Sequence, residues 1–278
     1  MRVRVHTVEQ NKVEQHKYVV AEPSRPPRGD DLDLLLSRDV TGIAVASDHV
    51  AAWLEFAREA IPLRFLEVFG RSSWSLPAGA GDNLEVLHSL APYKGRLPIA
   101  SMFGLRSLVV RAASSLEGGL AQLPSLSELV LGSFADENLA ILEGCHNLEV
   151  VKLTGRGQVV QAGPGSLPAS LDYFALHGAY LGSLEAFVET PALRTLIVDV
   201  PAPRRARPVL DLRDLRHCRE LDWIELWRAA RLRGVDVVAG LPRLENLVVQ
   251  SGNYEPTDVE GLPITVTPAT RRHPVEGV

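Results

Sequence analysis

The chain has 278 residues, of which 46% are hydrophobic and 23% charged, a composition typical of a folded protein and not of a disordered one. Its formal net charge is -5, which argues against general nucleic-acid binding, because that binding requires a basic surface. No stretch approaches the roughly 18 uncharged apolar residues of a membrane helix, and the N-terminus has no apolar core for a secretory signal. A cytoplasmic protein without membrane association is expected. Lysines make up only four of the 29 basic residues, which points to a GC-rich, bacterial genome.

Residues 1–39 are predicted to form an N-terminal cap. Val3, Val5 and Thr7 alternate with other residues as in a strand, and residues 18–20 offer a second strand. Residues 31–37 have a helical pattern, and the proline-rich stretch 22–29 before them is predicted to be a loop.

From residue 40 onward one apolar frame, L-x-x-L-x-L with conservative replacements, recurs ten times. Its copies open at Val40, Leu63, Leu84, Leu105, Leu126, Leu148, Leu171, Leu193, Leu221 and Leu244. Successive openings lie 21 to 23 residues apart, apart from one spacing of 28 between Leu193 and Leu221. A single unit of this size cannot bury its own apolar face, so the copies are predicted to stack into a solenoid.

Each copy of the frame predicts one strand and the segment after it predicts a turn or short helix. The fourth and sixth frame positions are apolar and alternate with variable residues, the pattern of a strand with one buried face. Only the third copy breaks this rule, because Leu87 is followed by Ser89. The clearest helix is predicted at 48–60 with Asp48 as its N-cap, and shorter ones are predicted at 136–142, 181–188 and 210–218. Residues 264–266 could add a last strand, and 268–278 are predicted to be a flexible tail.

These residues resemble the leucine-rich repeat family. The resemblance implies an α/β fold: a leucine-rich repeat solenoid of about ten coils over residues 40–267, with a curved parallel sheet on the concave face and short helices and loops on the convex face. Family members commonly carry Asn or Cys three residues beyond the sixth frame position, and this chain has neither there. Irregular coils are therefore expected.

Cys145 and Cys218 occupy equivalent places in coils six and nine, each three residues before a frame leucine. Three strand spacings of ~4.8 Å place them ~14 Å apart, too far for a disulfide or a shared metal ion. They are predicted to be reduced, buried and structural. No phosphate-binding loop, metal motif or nucleophile motif is present, so neither a cofactor nor a metal is expected.

The positions that flank the buried strand residues point to the concave side and are the candidates for recognition. Exposed aromatic residues there are the usual anchors of protein binding. The stronger cluster consists of Lys152, Tyr173, His177, Asp199, Trp223, Glu225, Trp227 and Arg228. The long spacing places an insertion, 201–208, at its rim, and that loop carries Arg204, Arg205 and Arg207. A weaker cluster comprises Phe65, Glu67, Phe69, Arg71, His88 and Arg111.

The favoured function is a non-catalytic protein that binds another protein in its concave face, and the resemblance suggests an inhibitor or a bacterial immunity protein. An enzyme with a site around His177, Asp199 and Glu225 is an alternative, and it requires these groups within hydrogen-bond reach of one another, directly or through one water. Nucleic-acid binding through the arginine loop and Trp227 is another alternative, and the net acidity argues against it. The two tryptophans could also do no more than pack against neighbouring strands.

Overall fold

The computed structural model describes residues 5–10, 14–21, 35, 37–200, 208–228, 231–238, 240–249 and 265–268. Contacts along the chain separate it into two compact units, Met1–Leu126 and Ser127–Val278. The predicted loop at 22–29, nearly all of the predicted helix at 31–37 and the tail after residue 268 lie outside the described residues. The boundaries of the cap and the tail therefore stay predictions.

The first unit is built on one run of neighbouring strands. Its strands are β1 (Val5–Gln10), β2 (Glu14–Ala21), β3 (Gly42–Ala46), β4 (Phe65–Phe69), β5 (Val86–Ser89), β6 (Leu97–Pro98), β7 (Ser107–Val110) and β8 (Leu116–Glu117). β1 pairs with β2 in antiparallel fashion, and β2, β3, β4, β5 and β7 then follow one another in parallel. β6 and β8 form a separate short parallel pair. Helix α1 (Val50–Ala60) follows β3, and 3-10 turns lie at Ile99–Ser101, Ala113–Ser115 and Leu120–Gln122.

The second unit repeats the same arrangement with more strands. They are β9 (Glu128–Leu131), β10 (Val150–Thr154), β11 (Val159–Val160), β12 (Tyr173–His177), β13 (Tyr180–Leu181), β14 (Thr195–Asp199), β15 (Val209–Asp211), β16 (Trp223–Trp227), β17 (Arg231–Arg233), β18 (Asn246–Val249) and β19 (Thr265–Pro268). β9, β10, β12, β14, β16, β18 and β19 are neighbours in one parallel sheet. β11 pairs with β13 and β15 with β17. The helical segments are the 3-10 turns Ala140–Leu142, Glu185–Glu189 and Leu212–His217 and the short helix α2 (Val235–Val238).

The strand register follows the apolar frame. In the second unit Leu129, Val151 and Phe174 are direct partners on successive strands, and the series continues through Leu196 and Ile224. All five are fully buried. A frame residue thus lies beside its equivalent in the next coil, because a slip of one residue would turn every buried side chain to the other face. All ten frame strands lie where the sequence predicts them.

Two successive backbone turns return the chain to the start of several frame strands. The N–H of Cys145 donates to the carbonyl of Leu142, and the N–H of Leu148 donates to the carbonyl of Cys145. The same pair of bonds recurs at Cys218 and Leu221. Both cysteines are free thiols and buried, as predicted for structural residues.

Hydrogen bonds at the ends of the strands join neighbouring coils, although the asparagines common in leucine-rich repeats are missing here. Backbone groups take over: the N–H of Gly155 donates to the carbonyl of His177 at 2.6 Å, and the N–H of Gly178 donates to that of Asp199 at the same distance. One side chain assists, since the amide of Gln158 donates to the carbonyl of Phe134 at 2.9 Å. The hydrogen bonds that buried turns require are therefore made by neighbouring main chains.

The convex segments are shorter than the sequence suggests. Helix α1 buries Val50, Trp53, Leu54 and Ala57 as predicted, but its N-cap is His49, which makes no side-chain capping bond, and the assignment of Asp48 as the cap is wrong. The three shorter predicted helices are 3-10 segments of three, five and six residues.

Candidate interaction surface

The open face of the second unit's sheet, opposite the buried frame residues, carries most of the predicted site. Strand pairing arranges its side chains in three columns. The first column contains Tyr173, Thr195, Trp223 and Asn246, the middle one Lys152, Ala175, Ile197, Glu225 and Val248, and the third Thr154, His177, Asp199 and Trp227. The sequence frame therefore places these residues on one surface, as expected for alternate positions of parallel strands.

Strand β16 holds a carboxylate between two indoles. Trp223, Glu225 and Trp227 occupy alternate positions and therefore share one face. The Nε1–H of Trp223 donates to Glu225 Oε2 at 3.3 Å, and the Nε1–H of Trp227 donates to Glu225 Oε1. Trp223 remains 38% exposed, whereas Trp227 is half-buried. The strand thus presents an oriented aromatic ring beside a fixed negative charge.

A depression of about 400 Å³ opens beside this ring. Ile197 and Trp223 supply its apolar surface, and Asp222, Glu225 and Glu245 supply three carboxylates. A second depression of about 470 Å³ shares Asp222 and Glu245 with it and is also lined by Arg194 and Arg243. The depression beside Trp223 is therefore lined by acidic residues, and two arginines line its neighbour.

Burial and the negative charge of this surface both raise the pKa of two neighbouring groups, Tyr173 and Asp172. Burial raises the pKa of the Tyr173 phenol, and the carboxylate of Glu225 raises it further. Burial also raises the pKa of Asp172, an effect that Arg194 opposes and Asp222 reinforces. In both cases a nearby carboxylate disfavours an added negative charge.

The other charges of the open face are already engaged. The ammonium of Lys152 lies 5.3 Å from the centre of the Tyr173 ring, a cation–π contact. Arg228, whose φ of 52° turns the chain at the end of β16, directs Nη2 to within 3.5 Å of Asp199 Oδ1. Within the described residues, the His177 imidazole makes no hydrogen bond with Asp199 or Glu225.

The first unit holds a second polar cluster across β4, β5 and β7. His88 Nδ1 lies 3.6 Å from Glu67 Oε2, and its Nε2 lies 3.5 Å from Ser107 Oγ. Ser107 is fully buried, so its hydroxyl cannot be reached by a substrate in this conformation. Phe65 packs edge-on against the His88 ring, with 5.7 Å between ring centres. The cluster is best described as packing with polar contacts.

This contact corrects one expectation about the weaker cluster. Phe65 is only 1% exposed, so its ring is not available to a partner. Phe69, at the end of the same strand, is half-buried. Arg204, Arg205 and Arg207 of the predicted loop lie outside the described residues, and their role stays a prediction.

Sequence reasoning missed Asp222 and Glu245, because they do not occupy the alternating strand positions. They stand at the second frame position, directly before their strands. That position carries a charge in most copies, with Arg64, Glu85, Arg106, Glu149, Asp172 and Arg194 as further examples. A column of charges at the entry of the strands was therefore the available signal.

Among known proteins, only solved structures show a similarity to this chain, and it concerns the fold. No family model matches the sequence, and no curated protein is similar to it. Among solved structures, the chain is similar to the plant peptide hormone receptor RGFR1 in complex with RGF2, with a TM-score of 0.50 and 12% identity over 77% of this chain and 39% of the receptor. An internalin of Listeria monocytogenes (TM-score 0.44, 14% identity, 79% of this chain and 69% of that one) and a leucine-rich repeat protein of Leptospira interrogans (0.36, 13%, 86% and 90%) are also similar.

The frame, the in-register parallel strands and the likeness to the receptor define a leucine-rich repeat solenoid of the α/β class. The chain spans well under half of that receptor's length. No group of His, Cys, Asp and Glu in the described part of the chain could hold a metal ion. In the same ranges no helix is long and apolar enough to cross a membrane.

Proposed function

We propose that this chain is an interaction module that binds another protein through the open face of its second unit. The observation that carries the proposal is Trp223, a large aromatic side chain that stays 38% exposed although its indole is oriented by Glu225. Tryptophan is over-represented among residues that dominate binding energy, and an anchor held in place loses little freedom on binding. The similar plant receptor, which is in complex with RGF2, supports binding as a use of this fold.

The finer role that we propose is that of an inhibitor or a bacterial immunity protein. Such a protein occupies its partner stoichiometrically and needs no chemistry of its own. The partly exposed indole of Trp223 supports such a role, because a protein of this kind contacts its partner through exposed side chains.

The test uses the full chain as bait in a lysate of its source. The wild-type chain is expected to retain a partner, and Trp223→Ala is expected to weaken that partner's binding by at least about 30-fold, the effect of losing a hot spot worth ~2 kcal/mol. Phe103→Ala is the matched control, because Phe103 is 63% exposed but lies in the first unit. Circular dichroism checks that each variant is folded.

Two further results bear on the proposal. Titration of the partner's activity should reach full inhibition at one equivalent if the finer role is right, and unaffected activity would reject it. Undiminished retention of the partner by Trp223→Ala, or an equal loss in Phe103→Ala, would contradict the placement of the site.

A further inference from the structure

The depression beside Trp223 has a charge that selects its occupant. Its lining contains three carboxylates, those of Asp222, Glu225 and Glu245, and no lysine or arginine among the described residues. Like charges that line one depression disfavour one another, and a cation bound between them removes that cost. An acidic or neutral apolar ligand would leave the carboxylates uncompensated.

Two arginines lie close to these groups, since Arg194 and Arg243 line the second depression together with Asp222 and Glu245. Their ion pairs are with other carboxylates: Arg194 Nε lies 3.4 Å from Asp172 Oδ1, and Arg243 pairs with Glu220. No ion pair involves Asp222, Glu225 or Glu245 within the described ranges. The three carboxylates are therefore open to a cation that a partner supplies.

The indole of Trp223 indicates which kind of cation the depression favours. Trp223 lines the depression with an indole, the ring system on whose face cations bind best. A guanidinium is planar, stacks on such a face and offers a fork of donors to carboxylates, whereas a lysine ammonium is a strongly hydrated point charge. Glu225 already accepts two indole N–H groups, whereas Asp222 and Glu245 form no ion pair with a described residue, so these two are the more open acceptors for the fork.

We infer that the depression formed by Ile197, Asp222, Trp223, Glu225 and Glu245 receives an arginine side chain from a basic segment of the partner protein. This inference rests on the proposed function and adds the chemistry of the partner. The guanidinium stacks on Trp223, its N–H groups donate to Asp222 and Glu245, and Glu225 holds the ring in place.

The experiment titrates the full chain with a blocked tetra-arginine peptide and follows the indole N–H signals by NMR. The signal of Trp223 is expected to move, whereas those of Trp53 and Trp74, which are 0% and 2% exposed, should stay in place. Trp223→Ala assigns the signal. Affinity should fall as salt is added, because the interaction is between charges at a surface.

Variants and probes separate this contact from general charge attraction. Trp223→Ala and the pair Asp222→Asn with Glu245→Gln should each lower the affinity for tetra-arginine on the order of tenfold. Glu137→Gln is the control for charge alone, since Glu137 is exposed on the same unit and does not line the depression. Tetra-lysine should bind several-fold more weakly, and tetra-glutamate should not bind.

The outcomes distinguish the inference from the proposed function. Equal affinity for tetra-lysine and tetra-arginine, an unmoved Trp223 signal, or an equal loss in Glu137→Gln would overturn the arginine assignment. If the partner is lost from Trp223→Ala while tetra-arginine fails to bind, only this inference falls. If the partner is retained by Trp223→Ala, the proposed function itself falls.

Discussion

Gly178 follows β12 at a point where two neighbouring coils approach each other closely. Its φ is 73°, a conformation that residues with a side chain rarely adopt, and a Cβ added there would lie 2.7 Å from the carbonyl oxygen of Gly155. The close approach exists because the N–H of Gly155 bonds the adjacent coil at His177. Glycine at 178 is therefore required twice, by backbone conformation and by space.

Gly178→Ala is expected to lower the free energy of unfolding by about 2–4 kcal/mol, through an unfavourable φ and a clash with backbone that cannot move away cheaply. Gly157→Ala is the matched control, because Gly157 has a φ of 84° and nothing within 4 Å of an added Cβ. That variant should lose only about 1 kcal/mol. Urea unfolding measures both, and equal losses would show that the clash is relieved elsewhere.

The strand β5 shows how an element tolerates a break in the frame. Ser89 occupies a position at which its partners on β4 and β7 are Val68 and Val110. It is 3% exposed, and its hydroxyl accepts the indole N–H of Trp74 at 3.1 Å. Trp74 is buried as well and packs edge-on against Tyr93. The polar residue is thus paired with an aromatic donor from the segment after β4.

Trp74→Phe is expected to destabilise the protein by roughly 1–3 kcal/mol, because it removes the donor and leaves a buried hydroxyl with only a long bond to the Ala91 carbonyl. Adding Ser89→Ala to that variant should cost less than Ser89→Ala does in the wild-type chain, since the hydroxyl has then lost its partner. A double-mutant cycle by urea unfolding measures this coupling. Strictly additive losses would contradict a specific Trp74–Ser89 bond.

The elements also show what sequence can predict. The period-two pattern places frame residues such as Leu66 and Phe174 in the core and fixes the strand register, because burial of one face leaves no other pairing. The same pattern cannot predict how much of a side chain on the open face is exposed to solvent. Phe65 and Trp223 occupy equivalent positions, yet they are 1% and 38% exposed. Cover depends on neighbours such as His88, whose contact with Phe65 comes from another coil.

The sequence predicts only part of the candidate site, because alternation along a strand shows which residues share a face but not which contacts they make. Trp223, Glu225 and Trp227 follow from their alternation on one strand, so their common face was readable from the sequence. The indole bonds to Glu225 were not, because they depend on side-chain rotamers. Asp222 and Glu245 belong to turns before the strands, and only the three-dimensional return of each coil brings them to the depression.

At the scale of the whole molecule, two buried thiols link stability to pH. Cys145 and Cys218 are 5% and 0% exposed, and burial raises the pKa of each thiol from 9.0 to about 11. For Cys218 a hydrogen bond with Thr190 opposes part of that rise. Both residues lie in the second unit. Because burial raises their pKa only in the folded state, the folded and unfolded forms of this unit bind different numbers of protons between pH 9 and 11.

The free energy of unfolding is therefore expected to fall as pH rises from 9 to 11. Below pH 9 both states keep the thiol protons and these groups add no pH dependence, whereas between the two pKa values only the unfolded chain releases them. Each thiol should contribute a slope of about 1.4 kcal/mol per pH unit in that window. Urea unfolding of the reduced protein at successive pH values measures the slope, and Cys145→Ala with Cys218→Ala is the control in which other titrating groups remain. Identical slopes in the two proteins would show that burial does not raise the pKa of the thiols in the folded state.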